Sequence, residues 1–215
     1  MADRYPGYDV LDKRNSVSWN DKTRAVIDRR MAIDPNKHDF FTAEEWPTFC
    51  AICARIVPQP PGRAHPAPVA AMVDEKLHTG SGDGYRDARL PPMRQAWRHG
   101  LAAIDGEAKS RYGRHFHELG ELLQDDLLTA LQNGDVQHKA WRDLPPKVFF
   151  KKRLLHDIVS AYYAHPAAWS EIGFGGPASP RGYVRMNFDR RDPWEAAEAQ
   201  PGREARARRE NARVG

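Results

Sequence analysis

Between Trp46 and Tyr162, apolar side chains recur every three or four residues, and proline or glycine marks the break between one run and the next. That interval gathers them on one face of a helix. Trp46, Phe49, Cys50, Cys53, Ile56 and Val57 make a first stripe. Thr42 and Glu45 set its start as a capping box, each side chain accepting the other's backbone N–H, with Phe41 and Trp46 as the apolar staple around it. Pro58 and the run Gln59-Pro60-Pro61-Gly62 end it. Val69, Met72, Val73 and Leu77 predict a second helix before Gly80, Gly82 and Gly84. Met93, Trp97, Leu101, Ile104 and Ala108 predict a third, opened by Pro91-Pro92 and stopped at Gly113. Leu123, Leu127, Ala130 and Leu131 give a fourth, closed by Asn133-Gly134. Phe149, Phe150, Arg153, Leu154, Ile158 and Tyr162 give a fifth, from Pro145-Pro146 to a point before Pro166. Nothing alternates with period two over the length of a strand. The predicted class is all-α, an irregular helical bundle packed at ridges-into-grooves angles.

Outside the bundle the pattern weakens. Residues 1–38 read as an extended N-terminal arm with one helix over Asn20 to Ile33, where Val26, Ile27, Arg30 and Ile33 share a mixed face. Residues 39–194 form the main domain, and residues 195–215 a basic tail expected to be disordered. The domain ends in YYAHPAAWSEIGFGGPASPRGY, Tyr162 to Tyr183, a Gly/Pro/aromatic-rich segment. Its prolines fix φ and remove donors while its glycines add freedom that ordering must remove, so no regular element is predicted there. Disordered segments are poor in aromatics, so these rings are expected to lie against a surface, the protein's own or a partner's.

Composition narrows the class. A chain of 215 residues supports one sizeable core. A mean hydropathy of −0.74 and the lack of a long apolar run exclude direct membrane insertion by a spanning helix. The formal charge of +4 lies in the ends: residues 1–38 carry a net +2 and residues 203–215 a net +3, leaving −1 for the rest. A basic face for nucleic acid is therefore not expected.

Candidate chemistry is sparse. Cys50-Ala51-Ile52-Cys53 is a CxxC without a second pair or a preceding strand, and its cysteines lie on the apolar stripe, where buried thiols are common. His115, His117 and Glu118 invite a metal reading, but positions i and i+2 diverge on a helix, so a joint site needs an irregular backbone there. With Phe116 buried between them, the two histidines are read as flanking it on the wet side. His156 beside Asp157 and His165 before Pro166 are read as satisfied or exposed, with His165 suited to capping loose helix carbonyls. Gly173-Phe174-Gly175-Gly176 is no dinucleotide turn, since prolines follow where a helix is required. No catalytic, cofactor-binding or metal-ligating set is predicted for this chain.

The C-terminal segment carries a resemblance. The double Tyr and His-Pro, then Trp169, Ile172-Gly173-Phe174 and the Gly-Pro-Ala-x-Pro-x-Gly-Tyr ending resemble the gluconate 2-dehydrogenase subunit 3 family. Phe40-Phe41-Thr42, Arg55-Ile56-Val57-Pro58, Tyr112-Gly113 with Phe116 and Leu119, Gln124 with Leu127 and Leu128, and Phe149-Phe150 agree in order. The resemblance implies a non-catalytic small subunit that assists the folding, stability or export of a large flavoprotein dehydrogenase. FAD is then held by that partner, and a cytochrome c subunit is a further expected partner. The contact surface is expected at Trp169, Phe174, Arg181 and Tyr183, with the arm around Tyr8 and Trp19, because aromatics and Arg there lie on segments without a helix to hide in. The same rings also suit a segment wrapped on its own bundle. Arg29-Arg30 lacks the apolar stretch of an export signal, so the chain is expected to be cytoplasmic as synthesised and periplasmic if a partner carries it out. The alternative is a stand-alone cytoplasmic helical regulator or a ligand- or redox-sensing domain.

Overall fold

The computed structural model of the protein describes residues 3–63, 65–179, 182–185, 192 and 194–213. Among them the regular structure is helical, and the one β-bridge joins Trp19 and Ser179. The α-helices are α1 (Asp21–Met31), α2 (Glu45–Ile56), α3 (Val69–Thr79), α4 (Met93–Tyr112), α5 (Glu121–Asn133), α6 (Pro146–Phe149), α7 (His156–Ala164), α8 (Pro166–Ile172) and α9 (Glu204–Asn211). They fall into two compact units. One comprises Asp34–Arg63 and Pro68–Tyr162, the other Met1–Ile33, Ala64–Ala67 and Tyr163–Gly215.

In the first of these units the local signals act as expected. Thr42 N–H donates to Glu45 Oε2 (2.9 Å) and Glu45 N–H to Thr42 Oγ1 (3.3 Å), so the capping box opens α2. Gly80, Gly113 and Gly134 end α3, α4 and α5 with φ between +71° and +78°, a conformation that side chains with a Cβ avoid. Trp97 of α4 centres the core, packing edge-on against Phe49 (5.1 Å between centroids), Phe149 (5.7 Å) and Phe41 (6.1 Å). Gly100, one turn on, is a glycine because a Cβ there would overlap the Phe149 ring. On α2 the buried set is Thr48, Phe49, Ile52 and Cys53, so Ile52, rather than Trp46 or Cys50, completes the inward stripe. Between α6 and α7 the backbone widens into a π-helix over Phe150–Leu155. Phe149, Phe150, Leu154 and Ile158 are all buried across that widened turn.

The other unit departs from expectation in three ways. The arm and the tail, predicted as separate regions, share it. Among the tail's described residues Glu204–Asn211 form α9, which is anchored by Asn211, whose Nδ2 donates to Pro6 O (3.0 Å) and Ala197 O (3.1 Å) while Oδ1 accepts from Ala197 N (2.6 Å). And the aromatic segment contains α8, where no regular element was predicted. Pro166 sits at its first position, where a missing N–H costs nothing, and Gly173 ends it in the left-handed region. His165 Nδ1 accepts from Ala167 N–H (3.3 Å), so this side chain caps the helix that follows it. α1 forms as predicted, with Asn20 Oδ1 accepting from Thr23 N–H and Ile27 buried.

Candidate functional site

Within the unit that contains the aromatic segment, the arm packs onto α8. Val10 N–H donates to Ser170 Oγ (3.1 Å), Asn20 N–H to Ser179 O (3.0 Å), and Tyr8 OH to Trp194 O (3.1 Å). Tyr8, Val10, Trp19, Ile27 and Trp169 form one apolar cluster. Burial pushes the Tyr8 phenol up from its ordinary pKa. Tyr8, Trp19 and Trp169 are thus 6 %, 2 % and 5 % exposed, which corrects their assignment to a contact surface. They are this unit's own core, because the arm and the segment supply each other's covering. Arg181 lies outside the described residues.

Phe174 and Tyr183 are placed differently. Gly173 turns the chain out of α8, and Phe174 lies edge-on to buried Trp169 at 5.9 Å. Tyr183 stacks on Phe174 at 6.3 Å and 23°. The three rings make a ladder from core to solvent: Phe174 is 40 % exposed, Tyr183 71 %, and the adjacent Val184 79 %. An exposed stack held rigid by a buried ring has the anatomy of an interface anchor, large in area and low in ordering cost.

The bundle unit holds a separate polar cluster under a cleft of about 280 Å³ lined by Asp83, Tyr85, Arg86, Leu90, Met93 and Arg153 among others. At its base Asp157 has a fully buried side chain. Trp97 Nε1 donates to Asp157 Oδ2 (2.8 Å), and Lys76 Nζ donates to Asp157 Oδ1 (3.1 Å) and to Asp83 Oδ1 (2.6 Å). Arg153 donates to Asp83 (3.2 Å) and lies 3.6 Å from Asp157. Burial opposes the charge on Lys76, but the two carboxylates outweigh it and raise its pKa. Asp83, His156 and Asp157 are close enough to share a metal ion. Two cations and an indole N–H already occupy the carboxylates, so the cluster is built as a salt-bridge network.

The CxxC cysteines are free thiols on α2, Cys53 buried on its inward stripe and Cys50 half-buried beside it. Burial pushes Cys50 up to about 11 and Cys53 well above its ordinary value. Neither carries appreciable thiolate at neutral pH, which is unfavourable for thiol redox sensing. The polar atoms around His115 and His117 form a further group, which spacing alone did not bring together.

The family model described as Gluconate 2-dehydrogenase subunit 3 matches residues 43–176, from the start of α2 through α8 to Gly176. No curated protein and no solved structure matches the chain.

Proposed function

Because the chain belongs to the gluconate 2-dehydrogenase subunit 3 family, we propose that it is a non-catalytic small subunit that binds and stabilises a flavin-dependent dehydrogenase of the glucose-methanol-choline type. The FAD belongs to that larger partner, electrons leave it through a cytochrome c subunit, and the substrate, a sugar, sugar acid or alcohol, is selected there. The observation that carries the docking part of this reading is the ring ladder from Trp169 through Phe174 to Tyr183. Its inner ring is fixed in the core and its outer ring is bare, so an incoming surface meets an aromatic anchor already in place.

Co-expression of the chain with its candidate flavoprotein, followed by affinity capture and titration, tests this. Tyr183→Ala combined with Phe174→Ser should weaken association by about 2 kcal/mol or more, roughly thirtyfold in Kd. Helicity and melting of the isolated subunit should change little in Tyr183→Ala alone, since Tyr183 is 71 % exposed. Unchanged affinity in the double variant would remove the ladder from the interface.

A further inference from the structure

His115 and His117 need an irregular backbone to meet, and the fold provides one. His115 is extended (φ −66°, ψ 154°) and caps a single 3-10 turn, Phe116–Glu118, with Glu118 Oε2 accepting from His115 N–H (2.9 Å). Phe116 enters the core, fully buried, and the two imidazole rings come to 5.6 Å between centroids at 38°.

Beneath them lies Asp105 of α4. Its Oδ1 accepts from Phe116 N–H (3.0 Å) and from Thr48 Oγ1 (3.0 Å), and its Oδ2 from His115 Nδ1 (2.6 Å). The Asp105 oxygen 2.6 Å from His115 Nδ1 is a carboxylate acceptor, so His115 carries a proton on Nδ1. Thr48 has one hydroxyl proton and gives it to Asp105. Its oxygen, 3.2 Å from His117 Nδ1, then accepts, which places the His117 proton on Nδ1 as well. In its neutral form each ring then presents the Nε2 lone pair on the edge turned away from Asp105 and Thr48. No described residue hydrogen-bonds either Nε2, and the His115 side chain is 42 % exposed.

A carboxylate or hydroxyl fixing Nδ1–H while Nε2 stays bare is the arrangement that orients metal-ligating histidines. The spacing agrees. With about 2.0–2.1 Å from metal to nitrogen, an ion shared at a tetrahedral angle brings two imidazole centroids to about 5 Å. We propose that His115 and His117 bind one divalent transition-metal ion of the imidazole-preferring class, Zn²⁺ or Cu²⁺, through their Nε2 atoms. Asp105 and Thr48 act as positioning residues. The remaining coordination positions face solvent and take water or an external ligand.

The test uses the full chain with any affinity tag removed. Calorimetric titration with Zn²⁺ should show one equivalent bound, and the electron paramagnetic resonance spectrum of the one-equivalent Cu²⁺ form should show two nitrogen donors. Asp105→Asn should weaken binding by about 10–100-fold, and the His115→Asn, His117→Gln double variant by at least as much. His156→Ala should bind as the unaltered chain does, because its cluster is closed by Lys76 and Arg153. No Zn²⁺ uptake, a Cu²⁺ spectrum without two nitrogens, loss on His156→Ala, or a folded double variant of undiminished affinity would each overturn the assignment. The nitrogen count on the unaltered chain decides the matter if the variants do not fold.

Discussion

Replacing Asp157 with alanine removes the acceptor that Trp97 and Lys76 share. Trp97 is 0 % exposed, so its Nε1–H would be left buried without a partner, at about 1–3 kcal/mol. Lys76 keeps Asp83 at 2.6 Å, so its charge stays compensated, but it loses a charged hydrogen bond worth about 1.5–3 kcal/mol. The two losses together come to about 2.5–6 kcal/mol, a range that brackets the ~3–5 kcal/mol cost of removing one member of a buried ion pair. Asparagine keeps the volume and one acceptor oxygen, so Asp157→Asn should cost about 1.5–3 kcal/mol. Urea unfolding at pH 7, followed by far-UV circular dichroism, reads both values from the transition of the bundle unit. The ordering Ala worse than Asn worse than wild type is the expected result. An Asp157→Ala midpoint equivalent to within about 0.5 kcal/mol of wild type, the scatter of ordinary surface changes, would refute the network as a source of stability.

Trp169→Ala should destabilise its unit by about 3–5 kcal/mol, as deletion of a buried indole does, and lower the melting temperature; a neutral variant would return Trp169 to the surface. Glu107 is buried, and although burial opposes its charge, hydrogen bonds from His138 N, Arg111 and Gln137 N hold its carboxyl below the ordinary glutamate value. Its contribution is then complete above that value and is lost as pH falls through the lowered folded value. Glu107→Gln should be less stable than wild type by about 1–3 kcal/mol at pH 7, with the gap closing in acid below about pH 4; a gap that widens in acid would reverse the sign. Native Cys50 and Cys53 should react with a thiol reagent at pH 8 far more slowly than in the urea-unfolded chain, whereas fast stoichiometric labelling of the native protein would restore a redox role.

The bundle was legible because its signals are local. Thr42 and Glu45 cap α2, Gly113 and Gly134 stop α4 and α5, and none of these needs a distant residue to be recognised. The α8 helix was also written locally, as Pro166 at its first position and Gly173 after its last. It was obscured because the density of proline and glycine across the segment outweighed their positions. The burial of Tyr8, Trp19 and Trp169 was not legible, since it depends on an arm meeting a segment some 150 residues away, as in the 3.0 Å bond from Asn20 N–H to Ser179 O. The tail failed for a related reason. Its arginines suggest a solvated end, but one asparagine, Asn211, makes three buried hydrogen bonds that composition does not reveal. At the histidine pair, the requirement for irregular backbone was visible in the spacing, whereas Asp105, ten residues earlier on α4, was not.

Purification of the gently extracted, tagged chain from cells that make the candidate flavoprotein tests the accessory-subunit reading most directly. The expected product is a yellow complex, with the absorption of bound flavin and a second, larger chain identified by mass as a glucose-methanol-choline-type dehydrogenase. A colourless, solitary protein from cells shown to contain that flavoprotein would contradict it.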